Sequence, residues 1–119
     1  MILSLPFTPT GNHSTKHSGG KHYTTQAVKR YHLEVAALAM AQGADKTLLG
    51  PIRVVAEVFP PDRRRRDLDN TWKVLGDAMT KANVWKDDSQ IIDLRLVKGE
   101  VRQGGMVVVS IEEVEEVNP

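Results

Sequence analysis

The sequence predicts an α+β domain: a small mixed β-sheet with two main helices packed on one face, ending in a β-hairpin. Three observations carry this. Apolar residues alternate with period two over residues 51–59, 92–96 and 106–113. Between these lie two stretches of helical period, one following Thr24-Thr25 and one from Leu68 to Ala82. At 119 residues, with no shift in composition, the chain reads as one domain spanning 1–119.

Ile2–Leu5 is a short apolar strand that Pro6 ends. Residues 8–22 contain Pro9, Gly11, Gly19 and Gly20 and show no periodicity, which predicts a long loop. Thr24 or Thr25 is placed to cap a helix whose Val28, Tyr31, Val35 and Leu38 recur on one side, and Gly43 is placed to end it. In Pro51–Phe59, Ile52, Val54, Ala56 and Val58 alternate with a second set of side chains. Pro60-Pro61 stops that strand, because neither residue can donate to a ladder. Leu68, Trp72, Leu75, Met79 and Ala82 then give a helix. After a turn through Asn83–Ser89, Ile92, Leu94 and Leu96 predict a strand. Gly104-Gly105 offers a two-residue hairpin turn into Met106–Glu113.

The composition narrows the chemistry. With 40% hydrophobic and 26% charged residues, the chain matches an ordinary soluble globular protein. It has no cysteine, which excludes disulfides and thiolate-held zinc or iron–sulfur centres. There is no signal-peptide pattern and no apolar run of membrane-spanning length, so a cytoplasmic location is expected. No phosphate-binding glycine motif points to a nucleotide cofactor. The formal net charge of +1 conceals an asymmetry. Glu112, Glu113, Glu115 and Glu116 lie in the last eight residues, and removing them from 15 acidic residues leaves 11 against 16 basic ones, a surplus of five. The basic residues gather at Lys16–Arg30 and Arg63–Arg66, where either group could follow a phosphate backbone.

The most informative segment is Pro60-Pro-Asp-Arg-Arg-Arg-Arg-Asp-Leu-Asp-Asn-Thr-Trp-Lys73. Four arginines run into Asp67 and Asp69, with Lys73 one helical turn beyond, and Asp87-Asp88 opens the strand after the helix. If the short helix–strand turn brings Asp88 back to Asp67 and Asp69, the acids repel one another. Two unit charges about 4 Å apart cost roughly 4 kcal/mol at an effective dielectric near 20. A divalent cation relieves that repulsion, and magnesium suits one or two carboxylates with waters and phosphate oxygens.

The ordinary reading of the same residues is a helix start with Asp67 as N-cap, Asp69 near the positive end of the dipole, an Asp69–Lys73 ion pair and a polar turn at Asp87–Ser89. Spacing alone leaves this reading slightly ahead. The arginines shift the balance, because guanidinium matches phosphate bidentately and a solvated helix start has no use for four of them. In an extended segment alternate arginines point to opposite sides, so two face phosphate while two pair with acids or solvent. His13, His17, His22 and His32 lack the spacing of a zinc site. Trp72 and Trp85 read as core or interface anchors.

The segment 60–74, then Asp77-Ala-Met-Thr-Lys-Ala and Trp85-Lys-Asp-Asp-Ser-Gln-Ile-Ile-Asp, closely resembles the RusA family of Holliday junction resolvases, through D-x-D-N-x-x-K followed by D-D-x-Q. The resemblance is strong over about residues 58–98 and looser elsewhere. It implies a homodimeric, magnesium-dependent endonuclease of bacteria and their phages or prophages, which nicks two strands symmetrically at a four-way DNA junction in recombination and repair. It further implies Asp67, Asp69 and Asp88 as the metal-binding acids, Lys73 as the essential lysine, and Asp87 in a supporting position. Arg63, Arg64, Arg65, Arg66, Asn12 and Lys16 are the expected DNA contacts. The family often carries aromatic residues after the N-terminal asparagine, whereas His13, Ser14 and Thr15 follow Asn12 here. The alternatives are a structure-selective DNA-binding protein without catalysis and a less selective nuclease of branched DNA.

Overall fold

A computed structural model describes residues 1–9, 15–18 and 21–115, with side chains for 1–9 and 25–115. The elements are β1 (Ile2–Leu5), β2 (Thr15–Ser18), β3 (Lys21–Thr24), α1 (Gln26–Ala41), β4 (Ile52–Phe59), α2 (Leu68–Lys81), a single 3-10 turn (Asp88–Gln90), β5 (Ile91–Lys98) and β6 (Met106–Glu113).

Both helices form where the sequence places them, and each has a definable start and stop. In α1 the Thr25 hydroxyl accepts the Val28 N–H at 3.4 Å. Val28, Tyr31, Val35 and Ala39 line its buried side. Gly43 then takes a φ of 70°, while the Ala44 N–H reaches the Ala39 carbonyl at 2.7 Å and the Gly43 N–H reaches that of Met40 at 3.1 Å. This Schellman arrangement satisfies two carbonyls that the helix end leaves open. Helix α2 ends the same way, with Asn83 at φ 61° and bonds from Val84 to Met79 and from Asn83 to Thr80.

The main sheet is mixed, in the order β1-β6-β4-β5. β4 is central and pairs in parallel with β5 and antiparallel with β6. Ile52, Val54, Ala56 and Val58 of β4 are buried together with Val74, Leu75, Ala78 and Met79 of α2, whereas Arg53 and Val55 are exposed on the opposite face. The helices therefore cover one face only. β4, α2 and β5 form a parallel crossover unit, in which the helix runs back along the sheet.

Two expectations are corrected. The stretch 8–22 is not wholly loop, since β2 and β3 pair antiparallel, Thr15 opposite Thr24 and Ser18 opposite Lys21. In the sequence Gly19-Gly20 stands between them, the same dipeptide signal that was read at 104–105. The C-terminal hairpin does not form either. β6 pairs with β4 and β1, and β4 separates it from β5. Gly104 and Gly105 do take positive φ, at 82° and 68°. The connection between β5 and β6, however, folds across the end of β4. Pro60 and Pro61 stop β4 there, and the Gly99 and Arg102 N–H groups bond the Val58 and Pro60 carbonyls at 2.7 and 2.9 Å.

The two edges of the sheet are treated differently. On β1 the Gln42 side chain closes the open edge, accepting the Ser4 N–H and donating to the Ser4 carbonyl, each at 3.1 Å. Across the sheet, β5 carries eight residues on an edge that no described residue pairs.

The seat of the β5–β6 connection predicts a stability effect. A Cβ at Gly99 would lie 2.6 Å from the buried Phe59 ring. Gly99→Ala is expected to cost about 1–3 kcal/mol through overpacking, read as a lower urea midpoint, with Phe59→Leu in the same chain restoring part of the loss.

Candidate active site

The arginine segment is built around one carboxylate. Arg66 donates to Asp62 through both terminal nitrogens, Nη1 to Oδ1 at 2.6 Å and Nη2 to Oδ2 at 3.1 Å. The Arg64 N–H also donates to Asp62 Oδ1, at 2.9 Å, and its guanidinium lies 3.9 Å from Oδ2. The Arg66 guanidinium stands 5.3 Å from the centre of the Phe7 ring, which fixes this turn against the β1 end of the fold. Arg63 and Arg65 are exposed and form no ion pair with described residues. Arg66 thus turns to Asp62, whereas Arg64 meets it chiefly through its backbone and, like Arg63 and Arg65, has an exposed side chain.

Of the ordinary roles open to the acids at the start of α2, Asp69 keeps its place in the first turn, near the positive end of the helix dipole, but capping and pairing go unfilled. Asp67 occupies the N-cap position, yet its side chain caps nothing. Asp69 and Lys73 share a helical face but form no ion pair within 4 Å, and Asp67 and Asp88 likewise have no basic partner among the described residues. All four side chains are exposed. The capping and pairing roles that made the ordinary reading competitive are therefore absent.

The acidic turn after α2 has its own framework. Gln90 accepts the Asp87 and Lys86 N–H groups at 2.7 and 2.9 Å. It donates to the Leu48 and Gly50 carbonyls at 2.7 and 2.9 Å, pinning the turn to the loop before β4. Asp87 completes a capping box, accepting the Ser89 hydroxyl at 2.9 Å and the Ser89 N–H at 3.4 Å. These bonds divide the two acids. The Ser89 hydroxyl foremost, then a hydrogen bond with Asp88, hold Asp87 below the usual carboxylate range. Asp88 is pushed above it, first by that bond to Asp87, then by partial burial, then by the charges of Asp87 and Asp77. Asp87 is the fixed member and Asp88 the crowded one. Gln90 was not among the expected site residues, although the D-x-x-Q spacing of a capping box was legible in the sequence.

Asp88 does not meet Asp67 and Asp69 within one chain. α2 starts beyond the last residue of β4, while Asp88 precedes the first residue of the parallel strand β5, so the acids lie toward opposite ends of the sheet. A helix of 14 residues spans about 21 Å at 1.5 Å per residue. The next acid that Asp88 senses after Asp87 is Asp77, two turns along α2 from Asp69. Among the described residues no group of three acidic or histidine side chains could hold one metal ion. Within one protomer the three acids therefore do not converge, because a crossover helix carries the chain back down the sheet before the next parallel strand begins. Of the expected DNA contacts outside the arginine segment, Asn12 lies outside the described residues and Lys16 falls in β2, its side chain outside them.

A family model described as endodeoxyribonuclease RusA matches residues 5–112. The chain belongs to this family. The crossover junction endodeoxyribonucleases RusA of Enterobacteria phage 82 and of Escherichia coli strain K12 are each 38% identical over 111 residues, covering 93% of this chain and 92% of theirs. The enzyme of that name from Shigella sonnei is 37% identical over the same shares. The match takes in β4, the arginine segment, α2 and the acidic turn, so the unpaired acids sit within a RusA endonuclease frame. No described helix of this RusA-family chain is long and apolar enough to cross a membrane.

Two measurements follow. The Asp62 carboxyl falls to about 2 from 3.8, chiefly through the Arg66 hydrogen bond. The folded value is the lower one, so the stabilisation is complete above the unfolded value of 3.8 and is lost as pH falls toward 2. A carbon-detected NMR titration should place the Asp62 midpoint near 2, and Arg66→Ala should return it toward 3.8. Gln90→Ala should loosen the acidic turn, read as faster amide exchange at Lys86 and Asp87 with little change in the exchange of β4.

Proposed function

We propose that this chain is a magnesium-dependent endonuclease that resolves four-way DNA junctions as a homodimer, by paired symmetric nicks, in the cytoplasm. The observation that carries the reading is the acid–lysine set of a RusA-family chain, Asp67, Asp69, Lys73 and Asp88, left without partners among the described residues.

The donor chemistry fits a hard cation: carboxylate oxygens, exposed, with Asp88 crowded by Asp87 in a way that positive charge relieves. Asp67, Asp69 and Asp88 would hold the ion. Bound there, it would activate water and offset the charge that grows on the phosphorus centre. Because one chain places Asp88 toward the other end of the sheet, Asp67 and Asp69 of one copy act with Asp88 of a second. Lys73, free of Asp69, steadies the developing negative charge of the scissile phosphate. Arg63 and Arg65 take flanking phosphates, with Arg64 and Arg66 holding the segment in shape, and Asn12 and Lys16 extend the DNA contact from the N-terminal region. Contacts to phosphate position DNA without reading its sequence. A two-fold dimer presents two equivalent sites to two equivalent strands.

Incubation with a synthetic four-way junction tests this. Asp67→Asn, Asp69→Asn, Asp88→Asn and Lys73→Ala should each lower the cleavage rate at least about a hundredfold, an effect of nearly 3 kcal/mol on the barrier, with junction binding retained. Wild-type rates in any of them would remove that residue from the mechanism. Mixing Asp69→Asn and Asp88→Asn chains tests the sharing directly. A mixed dimer regains one intact site and nicks one strand, whereas a site confined to one protomer stays dead in every combination. Junction binding by the wild type without cleavage at any magnesium concentration would support a non-catalytic binder instead.

A further inference from the structure

The rim where β4 ends holds a cavity that the proposed reaction leaves unused. Glu57, Phe59, Lys98, Gly99, Glu100 and Arg102 line about 560 Å³ of open space there, within the roughly 300–1,000 Å³ of small-molecule clefts. Phe59 is buried. The Arg102 guanidinium lies over its ring, 3.8 Å from the centre, and donates through Nη1 to Met106 Sδ at 3.2 Å. Those two contacts fix the guanidinium, although Arg102 as a whole stays exposed. The ion pairs among the described residues include none of Glu57, Lys98, Glu100 and Arg102. Two anions and two cations therefore line one cavity without pairing.

The cavity shares its rim with the arginine segment. The Arg102 N–H bonds the Pro60 carbonyl at 2.9 Å, and the Gly105 N–H returns to the Arg102 carbonyl at 2.8 Å. A Cβ at Gly105 would lie 2.8 Å from Phe7 and 3.1 Å from Pro61, and Phe7 is the ring beneath Arg66. The turn that carries Arg102 is thus seated against the segment that carries Arg63 and Arg65.

We propose that this cavity takes an unstacked nucleobase bearing an exocyclic amine, from the branch point of the DNA, and so gives cleavage a base preference. The charge pattern selects the ligand. A phosphate would face Glu57 and Glu100, and a simple cation would face Lys98 and Arg102. The edge of an amine-bearing base sets donors beside acceptors. The carboxylates accept from its amine, and Lys98 donates to its ring nitrogen or carbonyl. Arg102, already held in place, offers a guanidinium plane on which the base stacks. Thymine lacks the amine and would leave the carboxylates unmatched. A base at a branch also costs less to unstack than one inside a duplex. The inference rests on the junction-cutting reading for its place in the reaction. It adds a reader of sequence to contacts that only position phosphate.

Two readouts test it. The first is cleavage of four-way junctions that differ only in the base at the branch point of the cut strand. The wild type should cut its best amine-bearing junction about tenfold faster than the thymine one. Glu57→Ala, Glu100→Ala and Arg102→Ala should each bring that ratio to about threefold or less. A merely structural loss lowers every rate alike and leaves the ratio where it was. The second readout needs no cutting. The fluorescent, amine-bearing base 2-aminopurine, placed at the branch, should brighten as Asp69→Asn protein binds and unstacks it. Adding any of the three alanine substitutions should remove most of that rise. Equal cutting of all four bases by the wild type, or an unchanged ratio in all three variants, would overturn the pocket and leave the nuclease reading standing. A uniform loss of junction binding in Arg102→Ala, with the ratio kept, would make Arg102 a phosphate contact and also overturn the pocket. A rise that depends on these residues, in a protein whose wild type never cuts, would sustain the pocket and overturn the reaction. Failure to bind the junction at all would overturn both.

Discussion

The structure depends on how β4 ends. It lies inside the main sheet, between its parallel partner β5 and its antiparallel partner β6, and Pro60-Pro61 stops it abruptly. Two connections then have to leave from the same rim. One is the arginine segment leading into α2, tied down by Asp62 and by Phe7 under Arg66. The other is the β5–β6 connection, which takes the last β4 carbonyls through Gly99 and Arg102 and stacks Arg102 over Phe59 at 3.8 Å. Backbone polar groups at the end of a buried strand need partners. The proline stop and the crossing connection answer that need, and they leave the start of α2 exposed at the rim.

The distribution of charge follows from this. Asp62 holds the Arg66 guanidinium through both oxygens and accepts the Arg64 backbone N–H, which ties the segment down, while Arg63 and Arg65 stay exposed. Asp67 and Asp69 then stand at a helix start without capping or pairing. At the far end of α2, Gln90 and Ser89 organise Asp87 so that Asp88 bears the crowding. The chain keeps two acidic sites apart where repulsion is small. In the proposed assembly they would form one site around a cation, and the energetic cost of collecting carboxylates would fall there.

The same economy appears at the sheet edges. Gln42 satisfies the edge of β1, which is only four residues long, with two hydrogen bonds. Among the described residues no comparable group covers β5, and its Ile92 and Leu94 are exposed.

Much of this was legible in the residues. Caps at Thr25 and Gly43, the period-two run of β4, the proline stop and the helical period of α2 are local signals, and local physics decides them. The D-x-D-N-x-x-K and D-D-x-Q spacings placed the family. What the sequence could not decide was which strands lie side by side. Gly104-Gly105 has the dihedral freedom of a hairpin turn, but positive φ does not choose a neighbour, and β6 pairs across β4 instead of with β5. The separation of Asp88 from Asp67 and Asp69 has the same origin. Nearness in sequence across a helix and a short turn suggests nearness in space, yet a crossover between parallel strands returns the chain to the opposite end of the sheet. Residue chemistry set the family, and strand pairing alone set which acids a single protomer can bring together.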